Sequence, residues 1–323
     1  MPERIALLTG GTGFLGSRIS IIMNREGWIV RHLSRNKPAD HVMAAAWIPG
    51  DIRDPEVCNR AADGALLIIH AAGEKAHRDL MHAVNVEGTG NLLNAAMNNK
   101  VELFIHISSV GVMGANPLQK RVWDENGKCT PNNDYEWSKW RAEEKVLAAS
   151  ASGLKPVILR PTNVFGDHDP SKGLLSLIKK VRSGGFAFLG GRNGVCNFVF
   201  VEDVAHAVAA IGKNRSIAGG VYNVADPCSL GEFVDAVADA LSVRRPRISM
   251  PETLADSLRR AIAYLYGLSC CKQADIMSRL ISMNNQAKFI SEKLSREIGF
   301  QNPVGWREGV KRLVHWYRVQ GEL

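Results

Sequence analysis

Tyr135 and Lys139 are four residues apart, and together their side chains have the chemistry of a proton-transfer pair. Residues i and i+4 share one face of a helix, so the phenol and the ammonium would lie side by side. A free phenol has a pKa of about 10, and a nearby cation lowers that pKa by favouring the phenolate. The spacing predicts a phenol that takes up and releases protons; the alternative is an ordinary helix start beside a surface lysine.

A second motif is the glycine-rich turn formed by Gly10, Gly13 and Gly16, which follows the apolar run Ile5–Thr9. Glycine at a strand-to-helix turn lets backbone N–H groups approach a pyrophosphate and directs a helix N-terminus toward negative charge. The motif predicts a dinucleotide site, with a tight turn that binds nothing as the alternative.

The elements that must position these residues alternate along the first half of the chain. Three amphipathic segments predict helices, namely Leu15–Glu26, Val86–Asn99 and Lys139–Ser150. Apolar runs predict strands at Ile5–Thr9, Ile29–Ser34, Ala45–Ile48, Leu66–His70, Leu103–Ser108 and Pro156–Pro161. Near-continuously apolar strands that alternate with helices are typical of an α/β fold with a doubly wound parallel sheet.

The second half of the chain predicts a smaller, mostly helical lobe. We assign residues 1–165 to a dinucleotide-binding domain and residues 166–323 to a substrate lobe, with strands 197–201 and 221–225 returning to the sheet of the first domain. Ser229 and Glu232 form a capping-box pattern for a helix that runs to about Leu241, and Ser291 is a candidate cap for a helix that stops at Gly299. The lobe is expected to cover the carboxyl edge of the sheet, where ligands bind in such folds.

Composition limits the function classes. The chain has 323 residues and a net charge of +8, and residues 241–323 hold 14 Lys/Arg against 7 Asp/Glu, a net +7. This favours an anionic small molecule over nucleic acid, since no basic stripe interleaved with aromatic residues is visible. The apolar stretch Ala261–Cys271 is too short to span a bilayer, and the start of the chain predicts no signal peptide. The six cysteines lack the spacing that is typical of zinc ligands. We therefore predict a cytoplasmic protein with reduced thiols and no metal; the adjacent Cys270-Cys271 pair is a candidate redox site or plain packing.

Further motifs follow the glycine turn in a fixed order. They are Gly50-Asp51-Ile52-Arg53-Asp54, His70-Ala71-Ala72-Gly73, Asn85-Val86-Glu87-Gly88-Thr89, Ser108-Ser109 and Leu159-Arg160-Pro161-Thr162-Asn163-Val164-Phe165-Gly166. With the Tyr135 and Lys139 pair, this order resembles the extended short-chain dehydrogenase/reductase superfamily of NAD(P)-dependent epimerases, dehydratases and reductases. The resemblance runs from about residue 5 to 225, and more weakly to the end of the chain. It implies a Rossmann-type sheet.

The resemblance also implies roles for individual residues. Ser109, Tyr135 and Lys139 would be catalytic: Ser109 would hold the substrate oxygen while Tyr135 transfers a proton and hydride moves to or from the nicotinamide. Alternation along a strand places one of Ser108 and Ser109 on the ligand side, and the family's spacing indicates Ser109. The cofactor would contact Gly10, Thr12, Gly13, Phe14, Leu15, Gly16, Ser34, Arg35, Asp51, Ile52, Ala71, Ala72, Gly73, Asn85, Tyr135, Lys139 and Pro161, with Asn85 ordering the backbone near the active site.

The end of the second predicted strand bears on the choice of cofactor. NAD enzymes place a carboxylate there to bind the ribose hydroxyls. In this chain the position is Ser34, and Arg35, whose guanidinium suits a 2′-phosphate, follows it. NADP is therefore the predicted cofactor, with NAD as the other option.

The substrate is less constrained. Sugar-nucleotide 4,6-dehydratases carry an acidic pair directly after the catalytic Ser/Thr, where this chain has Val110 and Gly111, which argues against dehydration. Asn163 matches a diphosphate-binding position of nucleotide-sugar epimerases and reductases, but Cys196 replaces the arginine that binds the same group in relatives. Arg192 is a candidate replacement, with Arg244, Arg245 and Lys288 as others.

Two alternatives stay open. One is the 3β-hydroxysteroid dehydrogenase branch, which residues 108–114 resemble. The apolar segment Ala261–Leu268 would line the pocket of such an enzyme or simply pack against the main lobe. Together with Arg259 and Arg260 it is also a candidate for contact with a membrane surface. A non-catalytic dinucleotide sensor is the other, although Tyr135 and its partners are present. The resemblance also implies a homodimer through the segments Val86–Asn99 and Lys139–Ser150.

Overall fold

The computed structural model of the chain describes residues 4–39, 42, 45–214, 217, 219–250 and 285–323. Its strands are β1 (Ile5–Thr9), β2 (Ile29–Ser34), β3 (Ala46–Pro49), β4 (Leu67–His70), β5 (Leu103–Ile107), β6 (Arg121–Trp123), β7 (Lys155–Pro161), β8 (Asn163–Phe165), β9 (Phe188–Leu189), β10 (Val195–Cys196), β11 (Phe198–Phe200), β12 (Gly220–Val224), β13 (Cys228–Ser229), β14 (Ser249–Met250) and β15 (Ala287–Phe289).

The α-helices are α1 (Phe14–Arg25), α2 (Pro55–Ala62), α3 (Arg78–Met81), α4 (Gly88–Asn98), α5 (Asp134–Ala148), α6 (Leu175–Arg182), α7 (Val201–Lys213), α8 (Leu230–Leu241), α9 (Glu292–Ile298) and α10 (Gly305–Val319). A π-helical segment, His82–Glu87, joins α3 to α4, and short 3₁₀ turns lie at Val110–Met113 and Ala149–Ser152.

Seven strands form one parallel sheet in the order β12-β7-β5-β4-β1-β2-β3. The chain builds outward from β1 through β2 to β3, then returns to pair β4 with the other side of β1. Strand order therefore reverses between β1 and β4, and a crevice opens at such a switch point beyond the carboxyl ends of the strands. The predicted doubly wound, Rossmann-like sheet is confirmed.

Helices cover both faces of the sheet because its strands carry apolar side chains on both faces. On one face Leu8 packs with Met23 of α1 and Val208 of α7. On the opposite face Leu7 packs with side chains from α2, α4 and α5, among them Leu92. A third cluster, centred on Phe233 of α8, holds the C-terminal elements together.

The returning strands only partly agree with the prediction. β12 joins the edge of the seven-stranded sheet beside β7, as predicted for residues 221–225. The strand predicted at residues 197–201 is present as β11 (Phe198–Phe200), but its predicted return to the main sheet is wrong: β11 pairs with β8 in a separate two-stranded sheet, and Val201 already begins α7. The physical reason is that β8 continues the chain just past β7 and offers β11 a free edge. The domain boundary at residue 165 stays a prediction.

Two carboxylates fix the start of α10, whose first-turn N–H groups have no partner within the helix. Asp203 accepts hydrogen bonds from the N–H groups of Val304 and Gly305 at 2.8 and 2.9 Å, and Asp226 accepts one from Trp306 at 2.6 Å. This ties the last helix to the end of β12 and to α7.

The capping predictions had mixed outcomes. The capping box of Ser229 and Glu232 at α8 is present. Ser291 precedes α9, but its hydroxyl donates to the Ala225 carbonyl at 3.1 Å and caps nothing, so that prediction is wrong. The helix does end before Gly299, which adopts a left-handed conformation.

No helix within the described ranges is long and apolar enough to cross a bilayer. The Cys270-Cys271 pair, Arg259, Arg260 and the apolar segment Ala261–Leu268 lie outside the described residues.

Candidate active site

A cavity of about 240 Å³ opens at the switch point between β1 and β4. It collects residues from four separate motifs of the sequence: Gly10, Thr12, Gly13, Ser34, Arg35, Gly50, Asp51, Ile52, Ala71, Ala72 and Gly73 are among its lining. Ten of these were predicted to bind the cofactor; Gly50 was noted only as the start of a motif. The residues present thus suit an elongated ligand that carries a pyrophosphate.

The glycine turn leaves no room for side chains on its inner side. A methyl group at Gly10 would lie 2.6 Å from the backbone carbon of Ala71, and the residue has a φ of +73°. At Gly16 a methyl group would collide with the Gly10 carbonyl. Gly16 is therefore needed for the close packing of α1 on the turn, while Phe14 and Leu15 pack into the hydrophobic clusters.

The adenosine end of this cavity contains charges of both signs. Arg35 is exposed at the end of β2, and Ser34 donates its hydroxyl to the Asn36 carbonyl at 2.7 Å. Asp51 pairs with Arg53 at 2.8 Å. The hydrogen bond from Arg53 lowers the pKa of the Asp51 carboxyl, and the Arg35 charge adds to that effect. The cavity therefore holds an ionised carboxylate as well as the guanidinium.

A buried hydrogen-bonded chain centred on His70 joins the walls of this cavity. The Ala72 N–H donates to Thr9 Oγ1 at 3.3 Å, and Thr9 Oγ1 lies 2.8 Å from His70 Nδ1. His70 Nε2 lies 2.9 Å from Thr89 Oγ1, which donates to the Asn85 carbonyl at 2.6 Å. One tautomer satisfies every member, with the proton on Nε2, as assigned from this network. Burial lowers the pKa of His70 to about 3, which keeps the ring neutral.

Asn85 connects the same region to the helix that carries Tyr135. Its amide accepts from the Glu74 N–H at 2.7 Å and donates to the Glu74 carbonyl at 2.8 Å and to Ser138 Oγ at 2.8 Å. Ser138 in turn donates to the Tyr135 carbonyl. The side chain of Asn85 thus orders the backbone on both sides, and its direct contact with a cofactor stays a prediction.

Lys139 and Tyr135 lie in the first turns of α5, which begins five residues earlier than predicted because Asn133 caps it. The Lys139 ammonium is buried and donates to the Ile107 carbonyl at 2.6 Å. Burial lowers the pKa of Lys139 to about 8, and the charge of Glu143 opposes this effect. In the chain alone, burial and then the charge of Glu136 raise the pKa of Tyr135, so the lowered pKa expected from Lys139 together with a cationic nicotinamide stays a prediction.

Ser109 opens on a second cavity, of about 300 Å³, beyond the carboxyl ends of β5 and β7. Its oxygen accepts a hydrogen bond from the Gly111 N–H at 3.1 Å, which fixes the side chain at the start of the 3₁₀ turn. Ser108 is buried beside it. Asn163 lines the same cavity, so the predicted catalytic serine and the predicted substrate amide meet at one place. Pro161 ends β7 next to them.

Arg192 is engaged elsewhere. Its guanidinium donates to Asp235 at 2.7 Å and to the Pro246 carbonyl at 2.9 Å, and it stacks on Phe188. Of the other candidate cations, Arg245 pairs with Asp239. Lys288 is an exposed residue of β15, and its two neighbours in that strand, Ala287 and Phe289, line the cavity. The structure therefore does not bring Arg192 together with Ser109 and Asn163.

Comparison with known proteins places the chain in a family. Residues 6–225 match the model of the NAD dependent epimerase/dehydratase family, which is more than half of the chain. The chain belongs to this family. The predicted superfamily and enzyme class are thus confirmed, whereas the family's name covers both epimerases and dehydratases and does not separate them.

The names of two similar proteins refer to two kinds of substrate, a hydroxysteroid and a diphosphate-linked sugar. A 3β-hydroxysteroid-dehydrogenase/decarboxylase from Arabidopsis thaliana is 25% identical over 97% of this chain, and the alignment covers 62% of that longer protein. An N-acetyl-α-D-glucosaminyl-diphospho-undecaprenol 4-epimerase from Escherichia coli O157:H7 is 29% identical over 77% of this chain and 76% of its own length. The structure of a UDP-glucose 4-epimerase from Thermotoga maritima with UDP-glucose shares the fold, with a TM-score of 0.72, 19% identity, and coverage of 98% and 99% of the two chains.

Three functional features were missed from the sequence. The role of His70 as the centre of a network depends on Thr9 and Thr89, which are distant in sequence. Glu136 lines the Ser109 cavity, and so does Asn197. The position of Glu136 inside the Tyr-x-x-x-Lys motif was the one available signal. Among the described residues, no group of three or more His, Cys, Asp or Glu is placed to hold a metal ion.

Proposed function

We propose that this family member is an NAD(P)-dependent oxidoreductase or epimerase that acts on a hydroxyl or ketone carbon of a nucleotide-linked sugar. The observation that carries this proposal is the cavity shared by Ser109 and Asn163. Its lining includes Thr162 and the asparagines Asn132, Asn163, Asn197 and Asn285. The amides of Asn197 and Asn285 are bound to backbone groups of β10 and β15, whereas in the described part of the chain those of Asn132 and Asn163 make no such bonds and face a ligand. Amides and hydroxyls in a cavity suit a ligand with many hydroxyl groups, because each sugar hydroxyl both donates and accepts hydrogen bonds.

The chain's own residues divide the proposed reaction between them. Ser109 holds the reacting oxygen by a hydrogen bond, and Tyr135 Oη accepts the proton of the substrate hydroxyl or returns it to the ketone. Lys139, whose ammonium is fixed on the Ile107 carbonyl, supplies positive charge on the same helix face. The bound dinucleotide supplies a hydride acceptor or donor.

Burial raises the pKa of Tyr135 in the chain alone, so the phenolate would depend on positive charge brought by the oxidised cofactor. Proton transfer would therefore be coupled to occupancy of the cofactor cavity. Dehydration remains disfavoured in this proposal because Val110 and Gly111 carry no carboxylate.

NADP is the proposed preferred cofactor. Arg35 lines the cofactor cavity at the end of β2, where a guanidinium can bind a 2′-phosphate by paired hydrogen bonds. Asp51 lies in the same cavity and would repel that phosphate, but its charge is balanced by Arg53. A fluorescence titration with NADPH and NADH tests this, and tighter binding of NADH would refute it.

The activity is tested with UDP-, GDP- and dTDP-linked hexoses and either oxidised cofactor, following reduced cofactor and sugar isomers separately. The Tyr135→Phe variant should bind the cofactor like the wild-type protein and lose turnover by orders of magnitude. Turnover by the variant at the wild-type rate would refute the role of Tyr135, whereas a wild-type protein that binds the cofactor and turns over none of these sugars would favour a dinucleotide sensor.

A second candidate is a dehydrogenase of a 3β-hydroxysteroid-like alcohol. The specific observation in its favour is the plant relative, which aligns with nearly the whole chain. Apolar residues in the Ser109 cavity, such as Phe289 and Pro117, would contact a sterol ring. A thermal-shift screen separates the two: stabilisation by steroid ketones and by no sugar nucleotide would replace the first proposal with the second.

The homodimer and the cytoplasmic location also stay proposals. Trp137 and Leu147 of α5 are each 44% exposed, and exposed large apolar side chains on a helix are common where it packs against a partner. The four described cysteines, Cys58, Cys129, Cys196 and Cys228, are free thiols, which is usual in a reducing compartment. Light scattering coupled to size exclusion, with Trp137→Lys as the variant, tests the dimer.

A further inference from the structure

The lining of the Ser109 cavity includes a carboxylate. Within the part of the chain that the structure describes, Glu136 is the one charged side chain that lines it. The remaining lining is made of amides, hydroxyls, glycines and apolar side chains. The reacting part of the substrate, which must reach Ser109, therefore enters a cavity whose wall carries a negative charge and no described cation.

Local structure holds the Glu136 side chain in this position. Asn133 caps α5 by accepting the Glu136 N–H at 3.0 Å, and Glu136 Oε2 accepts the Asn132 N–H at 2.7 Å. One carboxylate oxygen is thus bound to the backbone, which restrains the rotation of the side chain. The other oxygen, Oε1, is left on the side of Gly111.

Gly111 shows how close Oε1 lies to the catalytic serine. A methyl group placed on Gly111 would lie 3.2 Å from Glu136 Oε1 and 3.3 Å from Ser109 Oγ. The carboxylate and the serine hydroxyl therefore lie over the same face of residue 111, within reach of one sugar ring. A side chain at position 111 would separate them, so glycine there keeps both exposed to the same ligand.

We propose that Glu136 selects the substrate by charge: the sugar ring held at Ser109 is one that is uncharged or carries an amino group, and rings that carry a carboxylate are rejected. The inference rests on the proposed function, since it assumes a sugar in this cavity. An anionic ring would place like charges close together, whereas a neutral ring donates hydroxyl hydrogen bonds to Oε1.

If Glu136 had only a structural role at the start of α5, its replacement by glutamine would leave the substrate preference unchanged. Glutamine keeps an oxygen that accepts the Asn132 N–H and removes only the charge. Glu136→Gln should therefore fold like the wild-type protein and change selectivity. Glu144→Gln is the matched control, because Glu144 is on the same helix and its side chain is 43% exposed in a surface pair with Arg141.

The experiment measures binding of UDP-glucose, UDP-glucosamine and UDP-glucuronate to the full chain by calorimetry, with reduced cofactor present so that no sugar hydroxyl is oxidised during the titration. The three ligands share the nucleotide and differ in ring charge. We expect the wild-type protein and Glu144→Gln to bind UDP-glucuronate roughly tenfold or more weakly than UDP-glucose, and UDP-glucosamine at least as tightly as UDP-glucose. In Glu136→Gln the difference between glucose and glucuronate should shrink several-fold, with an unchanged melting temperature.

Two results overturn the inference, and they differ. Equal binding of UDP-glucose and UDP-glucuronate by the wild-type protein, or a preference that Glu136→Gln leaves unchanged, refutes the role of Glu136 and leaves the proposed function intact. Binding of none of the three ligands, and of none of the GDP- and dTDP-linked hexoses, by a protein that does bind the cofactor refutes the nucleotide-sugar proposal, and this inference with it.

Discussion

Replacing Glu143 with methionine removes one partner of a buried ion pair that joins the catalytic helix to the sheet. Glu143 lies one turn after Lys139 on α5 and accepts two hydrogen bonds from Arg160 of β7, at 3.0 Å from Nε and 2.6 Å from Nη2. The two side chains are 2% and 5% exposed. In the variant the guanidinium stays charged and buried, and Cys129 Sγ, at 3.2 Å, is a weak acceptor.

The expected cost follows from this burial. Loss of one partner of a buried pair leaves an uncompensated charge and costs about 3–5 kcal/mol of unfolding free energy. Replacement of both partners by apolar side chains of similar volume is often close to neutral. Glu143→Met should therefore be strongly destabilised, and Glu143→Met/Arg160→Met should recover most of the loss. The exposed pair of Arg141 and Glu144 on the same helix gives the comparison, since Glu144→Met should cost about 0–1 kcal/mol.

Urea denaturation followed by circular dichroism measures these free energies, and a pH profile of turnover measures the consequence for Lys139. The Glu143 charge raises the pKa of Lys139 against burial, so both variants that lack Glu143 should show a Lys139 pKa below about 8. Stability should thus return in the double variant while the shifted profile persists. A double variant as unstable as Glu143→Met, or more so, would refute the argument that the unpaired charge causes the loss.

Three further predictions follow from the charges in the structure. Burial holds the pKa of His32 at about 4 and that of His70 at about 3, below the unfolded value of 6.5, so the stability they provide is complete above pH 6.5 and is lost as the pH falls toward those values. Each should lower the unfolding free energy by about 2 kcal/mol between pH 7 and 5, and denaturation curves that do not change over this interval would contradict it. Arg35→Ala should weaken NADPH binding roughly tenfold or more and leave NADH binding nearly unchanged, and an equal loss for both cofactors would exclude the phosphate contact. Glu136→Gln removes a negative charge that raises the pKa of Tyr135, so the alkaline rise of the oxidation rate should move to lower pH; a shift to higher pH would be incompatible with this electrostatic account.

The sheet was largely predictable from the sequence, because buried parallel strands are short, apolar and β-branched whatever their neighbours are. β1 and β2 agree with the predicted bounds, and β4 begins one residue later than predicted. Pairing between strands was less predictable. Residues 197–201 have the composition of a central strand, but β11 pairs with β8, and nothing in its own composition indicates that partner.

The candidate site divides in a similar way. Backbone motifs such as the glycine turn around Gly10 were predictable, since each motif needs a local conformation that few residues can adopt. Long side chains were not, because their partners come from distant elements. Arg192 was expected at the substrate and pairs with Asp235, whereas Glu136 was overlooked and lines the substrate cavity.

Net charge illustrates why counting residues does not locate an anion site. The last 83 residues carry +7 by sequence, which suggested an anionic ligand bound by that lobe. In the described part of that segment, Arg245 pairs with Asp239 and Arg312 pairs with Glu202. Arg192, a candidate that precedes the segment, pairs with Asp235. A paired guanidinium attracts an anion less than a free one, because the carboxylate already cancels most of its field. If the substrate is a nucleotide sugar, these three arginines are therefore poor candidates for binding its diphosphate. Its ring then meets Glu136 with no described cation to offset the carboxylate, which is the condition for selection by charge at Ser109.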